Sequence, residues 1–243
     1  MKTIGLIGGM SWESTAVYYR LLNHAVRQHL GGLHSARILI HSFDFDEIVS
    51  LQKSGRWDVL GDKLAEAGRN LEKAGADCLA ICTNTMHKVA GNVQDAVHVP
   101  VMDIRDSIGA ALHRDSISRV GLLGTQYTME QPFYASYLER HWDVSVITPE
   151  AAPRADVHRM IFGELCQGKV MAQDRNDLLT MVDELAARGA QGIILGCTEL
   201  MLLVSPDHCA QHLYDSTALH CETLAAFALG QADPLHRPLA LAG

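Results

Sequence analysis

Two apolar segments of this 243-residue chain recur at almost the same spacing. Residues 120–124 (VGLLG) repeat residues 4–8 (IGLIG) after 116 positions, and residues 189–196 repeat residues 75–82 after 114 positions. Each copy of the second segment follows a helix-like stretch that ends in glycine, a common helix stop, and continues as a short apolar strand. Such a repeat restricts the chain to two similar halves of alternating strands and helices, so we predict an α/β fold.

The first repeated segment leads into a stretch whose apolar residues have helical spacing, which predicts a strand, a tight turn and a helix. Ser11, Ser14 and Thr15 can each cap that helix, where free backbone N–H groups and the helix dipole favour an anion such as a carboxylate. The segment GLIGGMSWES matches neither GxGxxG nor GxxxxGK[ST], so the sequence does not indicate a nucleotide site.

The repeat aligns two polar tripeptides that follow apolar strands. Residues 83–85 (Thr-Asn-Thr) in the first half correspond to residues 197–199 (Cys-Thr-Glu) in the second. Ligands of open α/β sheets bind beyond the carboxyl ends of the strands, so both tripeptides would face one cleft if the halves pack face to face. A site with this pseudo-twofold symmetry suits a substrate that is attacked from two opposite faces.

Cys197 is the candidate base or nucleophile. It follows an apolar strand and precedes a helix start, where N–H groups and the dipole lower a thiol pKa from about 8.5 toward neutrality. The alternative is a buried, inert cysteine, which is the interpretation for the cysteines in apolar or helical contexts: Cys78, Cys166, Cys209 and Cys221. If Thr83 faces the cleft, Cys82 should face away from it, because side chains alternate along a strand.

The neighbours of these two residues suit an amino acid. Asn84 and Thr85 offer donors for a carboxylate, although ordinary helix capping also prefers such residues. Thr198 and Glu199 offer a hydroxyl and an anion that can hold an ammonium group. His87, four residues beyond Thr83, could steer or protonate the substrate, or it could be a solvated histidine.

Composition excludes several classes of protein. A net charge of −8 without a basic stretch argues against nucleic acid as a partner. The N-terminus lacks the features of a signal peptide, and apolar residues never run for 18 positions, so we expect a cytoplasmic protein without a membrane partner. Six irregularly spaced cysteines predict no disulfide framework, and 13 histidines without CxxC or HExxH predict no metal site.

These residues resemble the aspartate/glutamate racemase superfamily, and most of all its bacterial amino-acid racemase branch. The motifs are GGMSWEST, CTNTMHK, LLGT-Y-TMEQ-FY and GCTE, and the likeness covers about residues 2 to 229. The resemblance implies two Rossmann-like three-layer α/β domains related by a pseudo-twofold axis, with the active site in the cleft between them. It also implies a homodimer, and racemization without pyridoxal phosphate or another cofactor by two facing bases that are usually both cysteine.

Carried over to this sequence, the resemblance assigns Thr83 and Cys197 as the catalytic pair. The positions that it implies for substrate binding are Met10, Gln52, Thr83, Asn84, Thr85, Thr125, Lys169, Thr198 and Glu199. The departure is at Thr83, where the usual first cysteine is a hydroxyl whose pKa lies far above neutrality. Symmetric racemization by two thiols is therefore not expected.

The predicted function is racemization of aspartate, glutamate or related amino acids. Cys197 would remove the α-proton, and Thr83, or a water that it holds, would deliver a proton to the other face, with a preference for the L form. Two alternatives stay open: a decarboxylase or cis-trans isomerase of a small dicarboxylate, and an amino-acid-binding module without turnover.

The predicted domain boundaries follow from the repeat and from two prolines near the crossing points. The first domain comprises residues 1–99 and 211–230, and the second comprises residues 100–210. The tail, residues 231–243, has two prolines and no periodicity, and we predict that it is disordered.

Overall fold

The structure is a computed structural model that describes residues 1–231. The strands among these residues are β1 (Thr3–Gly8), β2 (Arg37–Ser42), β3 (Cys78–Ile81), β4 (Val101–Met102), β5 (Arg119–Gly124), β6 (Ser145–Ile147), β7 (Ile193–Gly196) and β8 (Leu213–Asp215). The helices are α1 (Trp12–Leu30), α2 (Phe45–Lys53), α3 (Trp57–Lys73), α4 (Ala90–Asp95), α5 (Ile104–Arg114), α6 (Gln126–Glu130), α7 (Pro132–Trp142), α8 (Ala151–Gly163), α9 (Ala172–Ala187) and α10 (Ser216–Ala228). Short 3-10 turns cover Thr85–Val89, Leu165–Gln167, Thr198–Leu202 and Pro206–His208.

The chain forms two compact units. The first comprises Met1–Ile104 together with the described residues from His220 onward, and the second comprises Arg105–Leu219. Among residues 1–231, no helix is both long and apolar enough to cross a bilayer. The predicted disordered tail lies outside the described residues, apart from Gln231.

The first unit is a helix–sheet–helix sandwich around a parallel sheet with the strand order β2-β1-β3-β4. Successive side chains of β1 enter different cores, because side chains alternate along a strand. Ile4 and Leu6 pack with Tyr18 of α1 and with residues of α10, whereas Ile7 packs with Leu60 of α3. Helices thus cover both faces, which is what buries an all-parallel sheet.

The second unit repeats this plan with the strand order β6-β5-β7-β8, again entirely parallel. Each strand matches the one four places earlier in the chain, so the repeat in the sequence is a repeat of topology. Ile194 and Leu195 of β7 are fully buried and lie in one apolar cluster with Val120 and Leu122 of β5. The predicted α/β fold with two similar three-layer domains is confirmed.

The compact units divide the chain later than the predicted boundaries at residues 100 and 211. The first crossing lies between Ile104 and Arg105, and the return lies between Leu219 and His220. β8 pairs with β7, with Leu213 opposite Ile193, so this strand closes the second sheet. Only after β8 is complete can the chain leave the second unit, and α10 carries it back.

Candidate active site

The loop after β1 is held by its own hydroxyl groups. The Oγ1 atom of Thr15 accepts a hydrogen bond from the Gly9 amide at 2.8 Å, and its hydroxyl donates to the Ser11 carbonyl at 3.0 Å. Ser11 caps α1 by accepting from the Ser14 amide at 3.3 Å. Gly9 has φ of +80°, and a side chain there would collide with the Phe43 backbone, so the turn requires glycine. Met10 is thereby fixed in a buried position at the carboxyl end of β1.

The first predicted tripeptide lies where β3 ends. The Cys82 amide donates to the Ile7 carbonyl at 2.9 Å, which ties the segment to the end of β1. Asn84 and Thr85 are buried and Thr83 is partly exposed. Asn84 precedes the 3-10 turn, yet its side chain makes no capping hydrogen bond, so capping does not explain this asparagine.

Cys82 faces the core, as its alternation with Thr83 predicts. It belongs to the apolar cluster that contains Ile4 and Leu6, and burial raises the pKa of its thiol far above the usual range. Although it is next to Thr83 in sequence, Cys82 cannot serve as the base that the first half lacks.

Gln52 brings an amide to the same segment. It lies on α2, is 5% exposed, and its Nε2 atom donates to the sulfur of Met86 at 3.3 Å. Its Oε1 atom is buried and has no hydrogen-bond partner among the described residues. Leaving a buried acceptor unsatisfied costs about 1–3 kcal/mol, so this oxygen is suited to accept from a ligand.

His87 is buried, which rules out the solvated alternative. Its Nδ1 atom lies 2.8 Å from the Thr83 carbonyl oxygen, and its Nε2 atom accepts from the Ile104 amide at 3.1 Å. Both ring nitrogens are therefore engaged with the backbone, and His87 is not placed as a proton donor to a substrate.

The second predicted tripeptide lies where β7 ends, and it converges on one carboxylate. The Cys197 thiol donates to Oε2 of Glu199 at 2.9 Å, and the Cys166 thiol donates to Oε1 of the same group at 3.7 Å. Glu199 is buried, and both cysteines keep part of their surface exposed, although the Cys197 sulfur itself lies inside the protein. Glu199 thus binds thiols, whereas the sequence predicted that it would hold an ammonium group.

The expectation of a lowered thiol pKa at Cys197 was wrong. Burial raises the pKa of Cys197 well above its usual range, and the negative charge of Glu199 and the Cys166 thiol add to the shift. A hydrogen bond from the Glu199 backbone acts in the expected direction but is the smallest contribution. The resting Cys197 is therefore a thiol, and it must pass its proton to another group before it can act as a base.

Cys166 is a residue of the site that its sequence context did not reveal, because that context is typical of an inert cysteine. This cysteine lies in the turn Leu165–Gln167, 31 residues before Cys197, and spacing gives no sign that the two meet at one carboxylate. Only the packing of that turn against Thr198–Leu202 brings them together.

The remaining predicted residues of the second unit have different settings. Thr125 follows β5, is buried and caps α6 by accepting from the Thr128 amide at 3.3 Å. Because Gly124 pairs with Gly196, Thr125 and Cys197 leave neighbouring strands at the same edge of the sheet. Lys169 is exposed and donates to Gln167 at 3.0 Å, and Thr198 is partly exposed in the turn after Cys197.

Known proteins resemble this chain over most of its length. The sequence model of the Asp/Glu/Hydantoin racemase family matches residues 7–224 of this chain. A crystal structure of a candidate Asp/Glu racemase from Yersinia pestis is 44% identical, with a TM-score of 0.89, and the match covers 94% of this chain and 100% of that one. A structure described as an aspartate racemase homologue from Pyrococcus horikoshii is 31% identical, with a TM-score of 0.82 and the same coverage.

A more distant relative is the glutamate racemase of Persephonella marina. It is 24% identical over 186 residues, which are 72% of this chain and 68% of that protein. The resemblance read from the sequence motifs is confirmed by the family match and by relatives of 44% and 31% identity over nearly the whole chain. This chain belongs to the Asp/Glu/Hydantoin racemase family and is an isomerase of the racemase class.

Proposed function

We propose that this racemase interconverts the enantiomers of an acidic amino acid, aspartate or glutamate, without a cofactor. The observation that carries the proposal is the 2.9 Å hydrogen bond from the Cys197 thiol to the buried carboxylate of Glu199. A thiol with a raised pKa becomes a base only if a nearby group takes its proton, and Glu199 is in hydrogen-bond contact to do so.

The proposed reaction starts with transfer of the Cys197 proton to Glu199. The thiolate then removes the α-proton of the bound amino acid, and Thr83 or a water that it holds delivers a proton to the opposite face. The resulting alkoxide or hydroxide regains a proton from solvent, and Glu199 releases to solvent the proton that it took. The reverse reaction uses the same groups in the opposite order. Because Thr83 is a much weaker acid than a thiol, this delivery is the slow half of the process.

The proposed substrate contacts follow the settings of the side chains. The unsatisfied Oε1 of Gln52 is suited to accept from the α-ammonium group, which replaces the earlier assignment of that role to Glu199. Asn84 and Thr85 are buried donors for the α-carboxylate. Exposed Lys169 is proposed to meet the side-chain carboxylate, while Met10, Thr125 and Thr198 complete the substrate-binding set.

Deuterium incorporation tests this function. The protein is dialysed against a chelator and then incubated in D2O with L- or D-aspartate or with L- or D-glutamate. The chirality of the amino acid and its deuterium label at Cα are followed together. We expect Cα labelling and inversion, and we expect Cys197→Ser to lower both by about 10² to 10⁴. Cys209→Ser is the matched control, because this partly exposed thiol of the same unit donates to the Gln211 carbonyl and has no hydrogen bond to a carboxylate of residues 1–231.

The alternatives predict other outcomes. A decarboxylase or cis-trans isomerase would leave these amino acids unlabelled and would convert a malonate or a maleate, and a binding module would bind an amino acid without labelling it. Activity that requires pyridoxal phosphate or added metal would contradict the cofactor-independent mechanism.

The homodimer that the resemblance implies is also part of the proposal. Light scattering coupled to size-exclusion chromatography should give about twice the 26.6 kDa chain mass. A species of one chain mass at micromolar concentration would contradict it.

A further inference from the structure

His87 is a buried histidine that takes no part in the proposed proton transfers. Its side chain is fully buried behind the segment that carries Thr83. It touches the backbone on two sides, at the Thr83 carbonyl and at the Ile104 amide, and these contacts belong to different elements.

The two contacts determine the protonation of the ring. A carbonyl oxygen can only accept and a backbone amide can only donate, so Nδ1 must carry the proton and Nε2 must present its lone pair. The carboxylate of Asp103 lies 3.9 Å from Nε2, beyond hydrogen-bond distance, and does not replace the Ile104 amide as the partner. His87 is thus a neutral imidazole with its proton on Nδ1.

The contact at Nδ1 substitutes for a missing backbone hydrogen bond. In an α-helix the amide of residue 87 would donate to the carbonyl of residue 83. The turn Thr85–Val89 is a 3-10 helix, in which the His87 amide donates instead to Asn84 at 3.1 Å. The Thr83 carbonyl therefore receives no hydrogen bond from the His87 amide, and Nδ1 of the His87 ring donates to it instead.

The backbone around Thr83 is consequently held at its carbonyl group and one residue earlier, at the Cys82 amide. On one side the Cys82 amide donates to Ile7 at the end of β1, and on the other side the Thr83 carbonyl accepts from the His87 ring. These two bonds restrict the backbone at Thr83, and this limits the directions in which its side chain can point.

The contact at Nε2 fixes the ring itself. Ile104 is the first residue of α5, and the first four amides of a helix have no acceptor within the helix. Nε2 of His87 satisfies one of them. The ring is further packed against His220, with ring centroids 6.1 Å apart. His220 donates from Nε2 to the Met102 carbonyl and accepts at Nδ1 from the Tyr18 hydroxyl, both at 2.9 Å.

We propose that His87 is a positioning residue that holds Thr83 in its reactive direction by donating from Nδ1 to the Thr83 carbonyl. This inference rests on the proposed racemization. It concerns the inversion step, which needs Thr83, and not the exchange of the α-proton by Cys197 on its own face.

Two variants separate the two contacts of the ring. His87→Asn places an amide N–H where Nδ1–H lies and keeps the donor to Thr83, but it is too short to reach Ile104. His87→Gln places an amide oxygen where Nε2 lies and keeps the acceptor for Ile104, but it loses the donor to Thr83. The matched control is His220→Asn, which alters a neighbouring buried histidine that does not contact Thr83.

The measurement is the ratio of inversion to same-face deuterium exchange for L-aspartate or L-glutamate in D2O. Both processes start from the same bound substrate, so the ratio is independent of KM and of the fraction of folded enzyme. We expect His87→Gln to lower the ratio at least tenfold, because misplacement by about 1 Å can cost 10²-fold in rate. We expect His87→Asn and His220→Asn to stay within about twofold of the wild type.

Equal ratios in the wild type and in His87→Gln would overturn the proposal, and so would an equal loss in His87→Asn and His87→Gln.

Two-bond ¹⁵N–¹H correlation spectra of the wild type give a second test that needs no variant to fold. A proton on Nε2 of His87, or a doubly protonated His87 ring at pH 7, would contradict the proposal that only Nδ1 of His87 carries a proton. If the wild type labels none of the amino acids, the racemization itself fails and this inference fails with it. If the wild type does label an amino acid but His87→Gln has the wild-type ratio of inversion to exchange, only the proposed role of His87 is refuted.

Discussion

At the scale of single residues, Glu199 has two opposite effects on Cys197. Its negative charge raises the thiol pKa and so keeps the base protonated, yet the same carboxylate is the acceptor for the proton that must leave. A change that removes the charge should therefore separate the acidity of the thiol from catalysis.

Glu199→Gln makes that separation measurable. The pKa of Cys197 should fall because the neighbouring charge is gone, so alkylation of Cys197 by iodoacetamide at pH 8 should become faster. Racemization should become slower, by about 10²-fold, because glutamine cannot take the proton. Mass spectrometry assigns the alkylated cysteine, and Cys209 in the same sample is the internal control. Slower alkylation, or unchanged racemization, would contradict this role of Glu199.

Thr83 is the other residue whose chemistry is open to a direct test. Thr83→Cys should supply a second base of suitable pKa and raise inversion relative to same-face exchange, by up to about 10² to 10⁴. Deuterium incorporation followed together with chirality gives both rates. If inversion and exchange are equal in the wild type and the variant gains nothing, Thr83 is not the opposing group. In that case the second proton comes from a source other than His87, whose nitrogens are engaged with the backbone.

At the scale of elements, the repeat allowed most of the sheet plan to be predicted. The segments around β1, β3, β5 and β7 could be read because a central parallel strand is buried on both faces and is therefore almost wholly apolar. The edge strand β8 could not be read in this way. It has three residues, of which only Tyr214 is buried, so nothing in its pattern assigns it to the second sheet.

The candidate site was predictable to the same extent. Positions at strand ends follow from strand order, which is why the tripeptides of Thr83 and Cys197 could be located. The acidity of Cys197 could not be predicted, since it depends on burial and on how the side chain of Glu199 folds back toward the thiol. The role of His87 was hidden for a similar reason, because it depends on the switch from α-helical to 3-10 hydrogen bonding.

A substitution at Gly109 of α5 would test how closely this helix packs against Trp142 of α7. A Cβ atom there would overlap with the ring of Trp142, which cannot move freely because its Nε1 donates to Asp106 at 3.1 Å. Gly109→Ala should destabilise the protein by about 1–3 kcal/mol through overpacking. Gly91→Ala is the control, because space at that helical position is open and the substitution should stabilise by about 0.4–1 kcal/mol. Urea unfolding measures both, and a neutral Gly109→Ala would contradict the described packing.

At the scale of the whole molecule, stability should depend on His220 in mildly acid solution. Burial lowers the pKa of His220 to about 3, so the folded protein leaves it neutral while the unfolded chain binds a proton below the ordinary value near 6.5. The free energy of unfolding should therefore fall as the pH falls from 6.5 toward 3, by at most about 1.4 kcal/mol per pH unit for this group.

The pH dependence is checked by urea unfolding between pH 7 and pH 5. His220→Asn removes the titrating group and should make the loss of stability per pH unit smaller, whatever its effect at pH 7. His98→Asn, which alters a side chain that is almost fully exposed, should keep the wild-type slope. Identical slopes in wild type and His220→Asn would show that this histidine does not contribute.

The return of α10 to the first unit has a consequence for synthesis on the ribosome. Among the described residues the second unit is continuous in sequence, and all of its strands are synthesised before α10. The first unit begins at the N-terminus, but its core includes Cys221, Leu224 and Ala225, which pack with Ile4 and Leu6. Until these late residues leave the ribosome, one apolar face of the first sheet lacks the part of its cover that α10 supplies. The half of the protein that is synthesised first is therefore the half that completes its folding last.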